Sequence, residues 1–217
     1  MNDCAKFLDQ PSFSLIGNVA DQLGQECYVV GGFVRDKHLG RPIKMDLDFV
    51  TVGSGIELAR AVQKELKPKP KLTVFKSFGT AHMKYKGIDL EFVGARKESY
   101  RKDSRNPVVE NGSLQDDQDR RDFTINAMAI CLNKDRWGAL LDPFDGISDL
   151  DKKRITTPLA PDKTFDDDPL RMMRAVRFAA QLDFRIDAAT LSSIRTHASR
   201  ISIVAPERVA VEFNKIM

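Results

Sequence analysis

The run "VVGGFVRDKHLGRPIKMDLDFV", residues 29–50, reads as a buried strand, a double glycine opening a short helix, and a second strand with two acids inside it. In an extended strand, side chains at i and i+2 share a face about 6–7 Å apart, so Asp46 and Asp48 project together while Leu47, Phe49 and Val50 enter a core. Two like charges held this close repel unless a cation sits between them. One or two magnesium ions suit the pair, because hard divalent cations take oxygen ligands and bind through one or two carboxylates plus a substrate's phosphates. On the D-x-D pattern alone, a strand end with solvated or turn-capping aspartates is the favoured explanation.

The glycines change that balance. A strand entering Gly31-Gly32 and then a helix lets backbone N–H groups approach an anion, and Arg35, one turn on, can reach the same anion or a nearby carboxylate. A lone Gly-Gly is only a tight turn. Followed 14 positions after Gly32 by D-x-D, it brings a phosphate cradle and metal carboxylates into one crevice, as a nucleoside triphosphate with magnesium requires.

Outward from this run, "SLIGNVADQLG" has helical apolar spacing with Gly24 at its end, and "SGIELARAVQKELK" is a helix opened by Ser54 and closed before Pro68. "KLTVFKSF" and "AHMKYKGIDLEFVGA" are two further strands. Between Gly94 and Asp119 periodicity fails, which predicts a long loop. "RRDFTINAMAICLN" and "GALLDPF" flank the turn-rich "KDRWG" as a hairpin, and from Asp149 onward the pattern is helical. Met217 falls within an unclosed amphipathic pattern, so the expectation is a piece of a longer chain.

The 217 residues suffice for one large domain or two small ones, and 42% hydrophobic with 30% charged residues excludes disorder throughout. Cys4, Cys27 and Cys131 are too scattered for a disulfide framework and lack zinc spacing, and there is no membrane-length apolar run or signal-peptide pattern. A cytoplasmic protein is expected. A net charge of +3 does not by itself indicate a nucleic-acid partner, but from Arg171 to Arg208 the basic residues are seven arginines, against three acids.

Together "VVGGFVRDKHLGRPIKMDLDFV", "RRDFTINAMAI", "LLDPFDGISDL" and "DDPLRMMRAVRFAAQLDF" resemble the bacterial tRNA nucleotidyltransferase and poly(A) polymerase family, relatives of DNA polymerase beta. The resemblance runs from Tyr28 to Met217 and implies an α+β fold: a mixed-sheet head over residues 1–150, then an all-helical neck over 151–217, normally followed by a body and tail. It implies that Gly32, with Gly31 beside it, and Arg35 contact the nucleotide and that Asp46 and Asp48 bind Mg2+. Arg121 matches an arginine that contacts the incoming nucleotide. Asp168, Arg171, Arg174 and Arg177 match the neck motif that reads the base edge; the family usually has glutamate where this chain has Asp167. The implied activity is template-independent addition of CMP and AMP, from CTP and ATP, to the 3′ end of tRNA, with pyrophosphate released by a two-metal mechanism. A poly(A) polymerase, a partial CC- or A-adding enzyme, or a non-catalytic RNA- or nucleotide-binding module remain alternatives.

The neck motif also makes chemical sense on its own. An aspartate accepts from an exocyclic amine while arginine donates to ring acceptors, so Asp168 with Arg171 can tell cytosine and adenine from other bases. Equally, "DDDP" before a helix reads as an N-cap followed by proline. Arg171, Arg174 and Arg177 drift round the helix by about 60° per step and cannot all meet one base, so the later two hold phosphates or brace the neck. The resemblance to that polymerase superfamily also implies a third catalytic carboxylate, for which "IDLEFVG" offers Asp89 and Glu91; Glu91, deeper in the apolar run, is favoured. His38, His82 and His197 lack a second ligand at metal spacing and read as structural or solvated.

Overall fold

The computed structural model describes residues 4–42, 46–101 and 104–217, the side chains of 98–109 excepted. Two compact units interleave along the chain. One comprises Met1–Lys97, Glu110–Asp117 and Met128–Pro143; the other comprises Glu98–Val109, Gln118–Ala127 and Phe144–Met217.

In chain order the elements up to Pro143 are α1 (Pro11–Gln22), β1 (Glu26–Val30), α2 (Gly32–His38), β2 (Asp46–Val52), α3 (Gly55–Glu65), β3 (Leu72–Phe75), β4 (Thr80–Tyr85), β5 (Ile88–Gly94), β6 (Arg96–Arg101), β7 (Ser104–Asn111), α4 (Leu114–Asp119), β8 (Ala129–Cys131) and β9 (Leu140–Leu141). Seven strands form one mixed sheet in the order β3-β4-β5-β2-β1-β8-β9. Only β2 and β5 run parallel; the other neighbours are antiparallel.

One face of this sheet is a core. Leu47 and Phe49 of β2, Leu90 and Phe92 of β5, and Ala81 and Met83 of β4 are buried, and α1 and α3 pack together against this unit's strands. Phe49 and Phe92 stack with centroids 5.1 Å apart, and Phe13 of α1 lies 6.1 Å from Phe49. Ser54 caps α3 as its sequence position suggests, accepting the Glu57 N–H at 3.2 Å. Gly55 cannot carry a side chain, because a Cβ would lie 2.6 Å from the Val93 carbonyl carbon.

Two readings need correction. "AHMKYKGIDLEFVGA" is not one strand but the hairpin of β4 and β5, turned by Lys86 and Gly87 at φ 49° and 85°. Positive φ at both central residues is the turn that matches strand twist. The expected loop from Gly94 to Asp119 instead contains a separate two-stranded sheet of β6 and β7, followed by α4. Its sequence hides the strands, because "RKESYR" and "SRNPVVEN" carry no hydrophobic alternation. Lys102 and Asp103 within that segment lie outside the described residues. The hairpin around "KDRWG" is present as β8 and β9.

Asn133 ties this unit together. Its Oδ1 accepts the Cys27 N–H at 2.7 Å, and its Nδ2 donates to Asp21 Oδ1 at 2.8 Å and to the Gln25 carbonyl at 2.9 Å. Replacing it with leucine orphans a buried donor and two acceptors. Asn133→Leu is expected to cost about 2–3 kcal/mol, read as a lowered urea midpoint; an unchanged midpoint would contradict this role.

The second unit contains α5 (Gly146–Asp151), β10 (Arg154–Ile155), α6 (Pro161–Asp167), α7 (Leu170–Leu182), β11 (Arg185–Ile186), α8 (Ala188–His197) and α9 (Pro206–Asn214). Helices α6 and α8 pack together, as do α7 and α9. The one departure from an all-helical segment after residue 151 is a two-residue parallel ladder between β10 and β11. Phe178 of α7 meets Phe123 edge-on at 5.8 Å. Helix α9 ends at Asn214, with the Lys215 N–H donating to the Glu212 carbonyl, so Met217 lies past the helix rather than inside it. No helix among the described residues is long and apolar enough to cross a membrane.

Candidate active site

The second face of the seven-stranded sheet carries the acids. Its register aligns Thr73, His82, Glu91, Asp48, Val30 and Ala129 in one row across six strands. The next row holds Lys84, Asp89 and Asp46. Paired positions project to the same face, so Asp46, Asp48, Asp89 and Glu91 share it. Val30 and Val50 join a buried apolar cluster with Tyr28, Ala95, Leu114, Ala129 and Cys131, which fills one end of this face. At the other end Asp46 is exposed and Asp48 half-buried.

The register also places the glycine turn. Because Val30 lies opposite Asp48 in an antiparallel pair, the chain leaving β1 at Gly31 passes beside the start of β2. Gly31 has φ 70° and ψ −130°, a conformation that side-chain-bearing residues avoid. Arg35 is buried and its Nε pairs with Asp36 Oδ1 at 2.8 Å. Its Nη2 lies 3.6 Å from where a Gly32 Cβ would be, so the guanidinium folds back toward the turn.

Asp89 and Glu91 have different surroundings. Asp89 accepts from His82 Nε2 at 3.0 Å and pairs with Lys84 Nζ at 3.3 Å. Partial burial opposes its charge, but the Lys84 and His82 hydrogen bonds outweigh this and hold its carboxyl below the usual carboxylate range. Glu91 instead stands opposite Asp48. Among the described residues no three His, Cys, Asp or Glu side chains converge on one point. Asp46 and Asp48, two carboxylates on one face, are donors of the kind Mg2+ takes when water and phosphate oxygens complete its shell. His38 lies edge-on to Phe7, with ring centroids 4.9 Å apart, and His197 Nδ1 sits 3.0 Å from the Ser193 carbonyl.

The remaining site candidates lie in the second unit. Arg121 Nη1 donates to the Asn126 carbonyl at 3.2 Å. Asp168 Oδ1 accepts the Leu170 N–H, the first of α7, at 3.1 Å, although the N-cap position is Pro169 rather than Asp168. Arg171 is buried, with Nη1 donating to the Thr164 carbonyl at 3.4 Å and Nη2 to the Arg120 carbonyl at 2.5 Å. Arg174 binds Asp122 through Nε at 2.8 Å and Nη2 at 2.6 Å, and its Nη1 lies 3.6 Å from Glu212. Arg177 Nε comes within 3.1 Å of Glu212 Oε2, without hydrogen-bond alignment, and the guanidinium lies 4.4 Å from the Phe178 ring centre.

Sequence reasoning missed Asp122 and Glu212. Burial pushes the Asp122 carboxyl up, but the Arg174 guanidinium and the Asn126 amide outweigh it and hold the group below the usual carboxylate range. Asp122 had a usable signal: it adjoins an apolar run whose Phe123 and Ile125 are fully buried, and a buried acid needs a cation. Glu212 has no comparable signal.

The poly A polymerase head domain family matches residues 27–156. The chain belongs to that family. A second match, described as a probable RNA and SrmB-binding site of polymerase A, covers residues 183–217 of this poly A polymerase relative. An A-adding tRNA nucleotidyltransferase of Aquifex aeolicus is 46% identical over 165 residues, 75% of this chain and 19% of that protein. A CCA-adding enzyme of Pediococcus pentosaceus is 41% identical over 199 residues, 91% of this chain and 48% of that protein. A solved tRNA nucleotidyltransferase, complexed with a primer tRNA and an incoming ATP analogue, aligns at TM-score 0.79 and 36% identity, covering 92% of this chain and 55% of that one. The chain thus spans about half or less of the length of these curated relatives. Fold and family agree: a mixed-sheet nucleotidyltransferase head followed by a helical neck.

Proposed function

We propose that this chain carries the nucleotide-transfer site of a template-independent tRNA nucleotidyltransferase, with the head over residues 1–150 and the neck over 151–217. It adds CMP and AMP from CTP and ATP to the tRNA 3′ end. The observation that carries this reading is the pair Asp46 and Asp48 on an open sheet face beside the Gly31 turn. The RNA 3′ hydroxyl oxygen bonds to the α-phosphorus, the bond to the bridging oxygen breaks, pyrophosphate leaves and the hydroxyl proton passes to solvent.

Asp46 and Asp48 hold Mg2+, which when bound neutralises the triphosphate and eases deprotonation of the hydroxyl. Glu91, opposite Asp48, adds a third carboxylate to this face. Gly31 and Gly32 leave the backbone open to phosphate oxygens, and Arg35 backs that turn. Arg121 meets the incoming nucleotide. Asp168 and Arg171 read the base edge, while Arg174 and Arg177 hold the neck in shape through Asp122 and Glu212. Three free, buried cysteines suit a reducing cytoplasm.

Incorporation of labelled CTP and ATP into tRNA lacking its CCA end, and into tRNA ending in CC, tests the reading; no incorporation into either overturns it. The 46% identity to an A-adding enzyme favours a second reading, in which only the tRNA ending in CC is extended. Asp168→Ala is expected to reduce discrimination among the four triphosphates by about 1–3 kcal/mol, or roughly 5- to 150-fold. Loss of its cap costs only about 1 kcal/mol of stability. A variant that loses stability and keeps its discrimination leaves Asp168 a capping residue alone.

A further inference from the structure

Between Glu65 and Asp89 the chain carries six lysines and no acid. In a chain of net +3 the remainder therefore sums to −3, so positive charge is concentrated in this stretch. Lys67, Lys69, Lys71 and Lys76 are exposed, and none pairs with an acid among the described residues. The stretch is anchored: Gln63 Nε2 donates to the Pro70 carbonyl at 2.8 Å, and the Tyr85 hydroxyl donates to the Lys67 carbonyl at 2.9 Å.

Among these lysines stand two exposed rings, Phe75 at 47% and Phe78 at 62% of full exposure. Strand β3 is the edge of the seven-stranded sheet, and lysine and proline there can serve simply to deter edge pairing. Exposed phenylalanines oppose that purpose. Rings interleaved with lysines match single-stranded nucleic acid, whose bases stack on aromatic faces while cations follow the phosphates. The register strengthens the match. Phe75 lies in the row of Thr80, Val93 and Val50, on the face that carries Asp48, three strands from β2. At about 4.8 Å per strand that is about 14 Å along one surface.

We propose that the β3 edge, with Phe75, Phe78 and the lysines at 67, 69, 71 and 76, is a docking surface for single-stranded RNA upstream of the reacting 3′ end. The RNA's identity as the acceptor rests on the function proposed above; the surface itself is tested by binding.

Affinity of the chain for a short labelled single-stranded RNA is measured by fluorescence anisotropy across a salt series. Phe75→Ser and Phe78→Ser are each expected to weaken binding about tenfold. Replacing all four lysines with glutamine should flatten the log–log salt slope by up to about 3, at about 0.7 per phosphate contact. Unchanged affinity and slope in these variants, with circular dichroism showing an intact fold, overturns the proposal. So does poly-glutamate that binds as tightly as the RNA and is insensitive to loss of the rings, because the surface would then fit an acidic protein. A chain that adds no nucleotide, yet loses RNA binding in the variants, refutes the proposed function and supports the surface. An active chain whose variants bind normally does the reverse.

Discussion

Asp46→Ala and Asp48→Ala should each lower nucleotide transfer by about 10³-fold, roughly 4 kcal/mol of transition-state stabilisation, without disturbing the fold. The two effects separate because of where the acids stand. Leu47 and Phe49 anchor β2 in the core, while Asp46 and Asp48 occupy the alternate positions on the open face. Their removal leaves the packing intact, and a change at such a position stays within about 0.5 kcal/mol of wild type. The same variants should lose the Mg2+-dependent part of their affinity for ATP, a readout that needs no turnover. Near-normal incorporation at ordinary magnesium by either variant would remove the acids from the site. Asp89→Ala should affect transfer far less, because Asp89 is held by His82 and Lys84 at 3.0 and 3.3 Å.

Asp122→Ala is expected to cost about 3–5 kcal/mol of stability, the usual result of breaking a buried pair on one side. Asp122 is 8% exposed and accepts two bonds from Arg174, one from the Asn126 amide at 3.0 Å and one from the Phe123 N–H at 2.8 Å. Without it, Arg174 keeps the 3.6 Å approach of Glu212 and the face of the Phe178 ring, 5.3 Å away. Asp122→Asn retains an acceptor for the two neutral bonds and should fall between wild type and alanine. The carboxyl is held below its ordinary value in the folded state. Its contribution is therefore fully present above the unfolded value of about 3.9 and is lost as pH falls through the lower folded value. Urea unfolding of wild type and Asp122→Asn at neutral pH and below pH 4 checks this. A stability gap that fails to narrow in acid would mean that the charge is not what stabilises.

The strand, glycine turn, short helix and acidic strand over residues 29–50 were legible because each element announces itself locally: apolar runs make strands, glycine makes the turn, and alternation sets which side chains share a face. The break between β4 and β5 was legible in principle, in the Lys86-Gly87 pair, where the alternation 81, 83, 85 shifts phase to 88, 90, 92. The β6–β7 ribbon was not legible, since "RKESYR" and "SRNPVVEN" show no alternation of apolar and polar residues. The neck residues illustrate a different limit. Periodicity separates Arg171 from Arg174 and Arg177, but nothing local says that Arg171 donates to the Arg120 carbonyl or that Arg174 meets Asp122. Those partners lie 51 and 52 positions away, and only the folded chain brings them together.

The interleaving of the two compact units bears on how this protein can be dissected. Residues Gln118–Ala127 belong with Phe144–Met217, although Met128–Pro143 separates them in sequence. A single cleavage therefore cannot release either unit whole. A fragment beginning at Phe144 would keep Arg174, Arg177 and Glu212 but leave Asp122 behind, exchanging a balanced ionic cluster for one with an uncompensated cation. Separating the units requires rejoining the chain in a new order, with both Glu98–Val109 and Gln118–Ala127 grafted onto the segment from Phe144.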